Sequence, residues 1–230
     1  MPTPLESLRL VAAALQPLDV PFAFVGGCAV WLLVDKPEFT DFRPTDDVDI
    51  IIEIVTLVEY YGFEDRLRAA GCQNDMSEGA PICRWIIKGC RVDIMPIDSK
   101  ALGMSSKWFR EALGSATIED LGDGQTARVI TAPLFVATKL AAFEDRGRMD
   151  VYCSHDLEDI VTVVDGREDI VETILSSRED VRTFIAHNFK ALTEHPDFED
   201  AIVGHLPLTF GARTRATDVQ KKFAAIAAAA

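Results

Sequence analysis

Thr45-Asp46-Asp47-Val48-Asp49-Ile50-Ile51-Ile52 sets two acidic side chains at the head of an apolar run. Read as a strand, the stretch turns Asp47 and Asp49 to one face, roughly 6–7 Å apart, because side chains i and i+2 share a side. Asp46 then falls on the opposite face, as a surface or capping residue. Two adjacent carboxylates repel each other, and a cation between them relieves that repulsion. Oxygen-only donors suit Mg²⁺, which usually arrives with nucleotide phosphates.

About twenty residues upstream stands Phe24-Val25-Gly26-Gly27-Cys28-Ala29-Val30. Phe22–Val25 reads as a short buried strand, Gly26-Gly27 as a turn, and Cys28–Val34 as the helix leaving it. Glycines there let backbone amides come close to an anion at a helix N-terminus, whose dipole favours negative charge.

The rest of the first 130 residues alternates helix and strand. Leu5–Leu18 has apolar residues at helical spacing, punctuated by Pro17 and Pro21. Lys36–Thr45 reads as a loop and Asp47–Val55 as a strand. Leu57–Ala70 is a helix ending at Gly71, where a glycine cap is expected. Ile82–Lys88 and Arg91–Ile97 are strands separated by a Gly89-Cys90 turn. Trp108–Leu113 is a short helix, and Ala116–Leu121 and Ala127–Ile130 form a strand pair around Gly122-Asp123-Gly124. From Pro133 the pattern becomes helical: Pro133–Arg146, a helix starting at Ser154 and ending at Val164, then Ile170–Ser176, Val181–Leu192, Phe198–His205 and Asp218–Ala228. The expected fold is therefore α+β over residues 1–131, followed by a helical region over 132–230.

Composition narrows the function. With 230 residues and 48% hydrophobic content, the chain can bury a sizeable core. Its net charge of -14 opposes general nucleic-acid affinity, which needs a basic surface to displace counterions. The cysteines, Cys28, Cys72, Cys83, Cys90 and Cys153, are odd in number and form no C-x-x-C pair, so reduced thiols and a cytoplasmic setting are expected. The longest uncharged stretch, Pro21–Val34, is too short to span a bilayer, and neither a membrane role nor a signal peptide is expected.

Together, Gly26-Gly27, Asp47-Val48-Asp49 and a third acidic residue, Asp93 in Arg91-Val92-Asp93-Ile94-Met95, resemble the nucleotidyltransferase superfamily that includes DNA polymerase beta. The resemblance implies a nucleotidyltransferase fold, a mixed sheet flanked by helices, with residues 1–131 as the catalytic domain and the helical region completing the nucleotide cleft. It implies a Mg²⁺- or Mn²⁺-dependent enzyme that moves a nucleoside monophosphate from an NTP to an acceptor. Asp47, Asp49 and Asp93 are the implied metal ligands and catalytic carboxylates, with Gly26 and Gly27 at the phosphates. Three carboxylates suit a two-metal clamp, in which one ion binds the triphosphate and the other activates the attacking hydroxyl. Asp98, the rival of Asp93, reads as a turn residue.

A narrower resemblance, to the AbiEii-type nucleotidyltransferases of toxin–antitoxin and phage-defence modules, rests on Lys139-Leu140-Ala141-Ala142-Phe143, Asp145-Arg146 and His155-Asp156-Leu157-Glu158-Asp159-Ile160. It implies a triphosphate contact for Lys139 and a site completed by Asp156 or, in the other register, Asp159. Arg43-Pro44-Thr45 matches that family's approach to the metal strand and adds Arg43 and Thr45 as nucleotide-binding candidates. The resemblance, which covers roughly residues 20–165, implies a tRNA acceptor and an antitoxin partner. The acidity of the chain favours a small cationic acceptor of aminoglycoside type instead. A nucleotide-binding component acting by association is a third reading. His155 reads as a polar helix-start residue, and Trp31, Trp85 and Trp108 as core or pocket wall.

Overall fold

The computed structural model describes residues 3–37, 40, 45–98, 107–146, 150–207 and 212–230. They fall into two compact units, Met1–Trp31 with Pro44–Thr131 and Leu32–Arg43 with Ala132–Ala230.

The first unit is built on seven strands: β1 (Phe22–Val25), β2 (Asp47–Ile52), β3 (Gln73–Asn74), β4 (Arg84–Ile87), β5 (Cys90–Pro96), β6 (Thr117–Gly122) and β7 (Gln125–Val129). They form one mixed sheet in the order β3-β4-β5-β2-β1-β7-β6. The central place of β2 follows from its composition. Val48, Ile50, Ile51 and Ile52 are all buried, so beyond the aspartates both faces of the strand are covered. Each such side chain contributes about 1.5–3 kcal/mol of burial free energy. β2 runs antiparallel to β1 and parallel to β5.

Around the sheet lie α1 (Pro4–Leu15), α3 (Leu57–Ala69) and α4 (Phe109–Gly114); α2 (Gly26–Leu33) leaves β1 directly. α1 and α3 both start with a capping box. Thr3 receives the Glu6 backbone N–H while Glu6 accepts the Thr3 N–H, and Thr56 and Glu59 repeat the arrangement. The first helix stops at Leu15 and tightens into a 3-10 turn over Gln16–Leu18. Pro17 explains this, since it has no N–H to continue the α-helical ladder.

One difference from the sequence expectation matters for the site. The β4–β5 turn lies at Lys88-Gly89, both with positive φ (52° and 83°), and Cys90 already belongs to β5, opposite Ile87. Paired positive φ values are what a two-residue hairpin with the twist of its strands requires. The two-residue edge strand β3 was not expected at all; it is too short to carry a periodic signal.

The second unit contains α5 (Ala132–Arg146), α6 (His155–Gly166), α7 (Ile170–Leu175), α8 (Glu179–Thr193), α9 (Phe198–His205) and α10 (Ala212–Ala227). Their apolar stripes meet in one core. Phe189 of α8 stacks on Phe223 of α10 with ring centroids 4.0 Å apart, and Leu140, Leu157, Ile160 and Ile185 are fully buried. α10 starts six residues before the expected Asp218. Among the described residues no helix is long and apolar enough to cross a membrane.

Candidate active site

Asp47 and Asp49 occupy the first and third positions of β2, on one face, while Asp46 lies exposed just before the strand. The parallel register of β2 and β5 sets Asp49 beside Asp93 and Asp47 beside Arg91. On the other side Asp49 stands opposite Val25, the last residue of β1. The strand order thus gathers the three aspartates expected from the sequence onto neighbouring positions of one sheet.

Gly26 follows Val25 immediately and turns the chain into α2 with φ of 68°. A Cβ built on Gly26 would lie 1.9 Å from Oδ2 of Asp49, so the carboxylate packs against bare backbone. The position needs glycine twice, for its left-handed conformation and for the close approach. Gly27 is the second residue of the same helix.

Thr45 sits at the approach to β2. Its Oγ1 lies 3.1 Å from Sγ of Cys28, which also reaches the Asp47 carbonyl at 3.1 Å, tying α2 to the base of the acidic strand. Burial pushes the Cys28 thiol up to about 11, its Thr45 hydrogen bond pulls the other way, and the nearby Asp49 and Asp47 carboxylates add to the rise. A hollow of about 450 Å³ opens here, walled by Cys28, Thr45, Asp47 and Cys90. Arg43 lies outside the described residues.

Sequence reasoning missed Arg84. It stands directly opposite Asp93 across the β4–β5 hairpin. Its Nε donates to Asp93 Oδ1 at 2.7 Å, and its Nη2 donates to Asp93 Oδ2 at 2.8 Å and to Asp47 Oδ2 at 2.7 Å. The hydrogen bonds it donates to Asp93 make the guanidinium hold its proton more tightly than usual, against the opposing effect of burial. The hairpin turn was the signal that could have found it. A turn at Gly89-Cys90 sets Ile86 opposite Asp93, whereas the observed turn sets Arg84 there. Among the described residues no three His, Cys, Asp or Glu side chains converge as a metal cage.

Within the helical unit, Lys139 of α5 meets both carboxylates that the sequence left as alternatives. Its Nζ is 2.7 Å from Asp159 Oδ2 and 3.3 Å from Asp156 Oδ1. Both aspartates are only 4% exposed. They lie three residues apart on one face of α6, so one ammonium reaches both. Arg146 adds a second cation to Asp156 at 3.2 Å. His155 faces outward beside Glu158, in keeping with a helix-start role. Trp85 and Trp108 are buried, as core residues are.

No protein-family model matches the chain, and no curated protein matches it in sequence. Among solved structures it is similar to an antigenic nucleotidyltransferase-like protein from Paracoccidioides brasiliensis, at 18% identity over 86% of this chain and 91% of that one, with a TM-score of 0.53. JHP933 from Helicobacter pylori aligns at 14% identity over 98% and 92%, with a TM-score of 0.49. The antibiotic-resistance factor ANT(2'')-Ia aligns at 16% identity over 78% and 88%, with a TM-score of 0.48. The mixed seven-stranded sheet, its flanking helices and the likeness to the Paracoccidioides protein together give this chain a nucleotidyltransferase-like fold.

Proposed function

We propose that the chain transfers a nucleoside monophosphate from an NTP to an acceptor hydroxyl. The acceptor oxygen bonds to the α-phosphorus, the bond to the β-phosphate oxygen breaks, and pyrophosphate leaves while the hydroxyl proton passes to solvent. The observation that carries this reading is the packing of Asp49 against Gly26, with Asp47 on the same face of β2. Paired hard oxygen donors beside a helix that begins in glycine suit a cation and a phosphate group.

The donor set fits a divalent ion at Asp47 and Asp49. Bound there, Mg²⁺ or Mn²⁺ supplies positive charge to the triphosphate and lowers the pKa of the attacking hydroxyl. Gly26 and Gly27 offer phosphate oxygens a helix start without side chains. Thr45, held by Cys28, fixes the approach to Asp47. Asp93, expected from the sequence as a third ligand or base, has both oxygens on Arg84, and its part in this reading is to seat that guanidinium. Lys139 is read here as the counter-ion of Asp156 and Asp159 rather than as a triphosphate contact.

Two acceptor classes follow. The AbiEii-type resemblance favours a tRNA end, and with it an antitoxin partner. The net charge of -14 favours a small cationic acceptor. Incubation with each α-labelled NTP, Mg²⁺ or Mn²⁺, and either bulk tRNA or a panel of aminoglycosides tests both. Loss of transfer in Asp47→Asn and Asp49→Asn with the fold intact is the expected result. Near-full activity in either variant would remove the metal assignment.

A further inference from the structure

Arg84, Asp93, Asp49 and Val25 stand in one row across four neighbouring strands, and Gly26 follows Val25 directly. Strands in a sheet lie about 4.8 Å apart, so about 14 Å of sheet separates Arg84 from Val25. The glycine turn and the guanidinium therefore flank the aspartates from opposite sides. Three N–H groups of Arg84 are engaged, one on Nε with Asp93 Oδ1 and two on Nη2 with Asp93 Oδ2 and Asp47 Oδ2. The guanidinium is a rigid planar fork, so these three bonds also fix where the Nη1 donors point. One of them runs alongside the bond from Nη2 to Asp47, into the space beside that carboxylate. Among the described residues no hydrogen bond occupies Nη1, and the side chain is not sealed, with 19% of its surface exposed. The hairpin that carries it is a basic element in an acidic chain: Arg84–Pro96 holds Arg84, Lys88 and Arg91 against Asp93 alone. Arg91 is exposed and, two residues from Asp93 along β5, lies on the same face.

We propose that Arg84 binds the acceptor, its Nη1 donating to an anionic oxygen next to the attacking hydroxyl. This rests on the reading of the site as one for nucleotidyl transfer. The attacking and leaving oxygens of such a transfer stand roughly in line across the phosphorus. With pyrophosphate leaving on the Gly26-Gly27 side, the hydroxyl enters from the Arg84 side. A phosphodiester suits the open edge, because hydrogen bonds between a guanidinium and phosphate oxygens are charge-assisted. An ammonium group is repelled there. The local charge of the hairpin thus selects against the cationic acceptor that the net charge of -14 favours. Asp93 is the positioning residue that seats the fork.

Two RNA oligonucleotides test this, identical except that in one the last phosphodiester before the 3'-hydroxyl is replaced by an uncharged methylphosphonate. Each is offered to the full chain with α-labelled NTP and Mg²⁺, beside a panel of aminoglycosides. The wild type should use the charged oligonucleotide about 10- to 100-fold better in kcat/KM, the worth of one hydrogen bond to a charged group. Arg84→Met should be slower on both and should no longer tell them apart, with the KM for NTP unchanged. A merely structural role would slow both equally and keep their ratio. Arg84→Lys, the gentler change, keeps the charge without the fork and should discriminate less than the wild type. Equal use of the two oligonucleotides by the wild type, or a wild-type ratio in folded Arg84→Met, would overturn the role of Arg84 and leave nucleotidyl transfer standing. If Arg84→Met does not fold, a wild-type ratio in Arg84→Lys decides the same way. Transfer to aminoglycosides with none to RNA would also overturn the role of Arg84 alone. No transfer to either acceptor class would overturn both readings.

Discussion

Gly26 and Asp49 are in contact with no room between them: the first side-chain carbon at position 26 would come within 1.9 Å of Asp49 Oδ2. The glycine also holds φ at 68°, a conformation that costs an alanine about 1–2 kcal/mol. Gly26→Ala therefore strains the turn and displaces the carboxylate. A loss of 1 kcal/mol or more in stability is expected, with transfer falling on the order of 100-fold from a misplacement near 1 Å. Thermal melts and single-turnover transfer rates measure the two effects separately. An alanine variant of wild-type activity would show that Asp49 needs no such placement.

Lys139 offers a sharp distinction between support and chemistry. Removing its charge in Lys139→Met takes from buried Asp156 and Asp159 a cation that lies 3.3 and 2.7 Å away. Breaking a buried pair costs about 3–5 kcal/mol, or roughly 10 °C of melting temperature for a chain of this size. The triple variant Lys139→Met, Asp156→Asn, Asp159→Asn should recover much of that loss, because no uncompensated charge remains. A Lys139→Met protein that melts like the wild type but has lost NTP affinity would return the lysine to the triphosphate role implied by the AbiEii-type resemblance.

The thiols give a pH dependence whose sign is fixed. Burial raises Cys28 from an ordinary value of 9.0 to about 11, so the folded state disfavours its thiolate. The stability it lends is whole below pH 9 and is lost as pH rises toward 11, by about 3 kcal/mol at the far end. Melting temperature should fall more steeply above pH 9 in the wild type than in Cys28→Ala. In the same pH range, alkylation should mark exposed Cys153 first and leave buried Cys28, Cys72, Cys83 and Cys90 slow. Rapid modification of Cys28 in the folded protein would contradict the packing of α2 against Thr45 and β2.

The parts of the site readable from sequence are those with local signals. Asp47 and Asp49 share a face because a strand alternates, and the apolar run behind them marks that strand. Gly26-Gly27 announces a turn because few other residues take its conformation. Arg84 was hidden because its place depends on pairing between two strands, and a one-residue error in the turn exchanges the residue opposite Asp93. The link between Lys139 and both Asp156 and Asp159 was hidden for a related reason. Which helix α5 packs against is a tertiary matter, and helical periodicity says only which face is apolar. The early end of the first α-helix was foreshadowed by Pro17, whereas Arg213, Thr214, Arg215 and Thr217 leave the first turns of α10 with a weak apolar signal.

The central claim is nucleotidyl transfer at Asp47 and Asp49, and position of the label decides it. Parallel reactions with α-labelled and γ-labelled NTP, in Mg²⁺ or Mn²⁺, are run with bulk tRNA and with cationic small molecules as acceptors, for the wild type and Asp49→Asn. Expected is α-label on one acceptor class, none of the γ-label, equal release of pyrophosphate, and loss of both the α-label transfer and the pyrophosphate in Asp49→Asn. Transfer of the γ-label instead, or α-label transfer that survives Asp49→Asn at the wild-type rate, would contradict it.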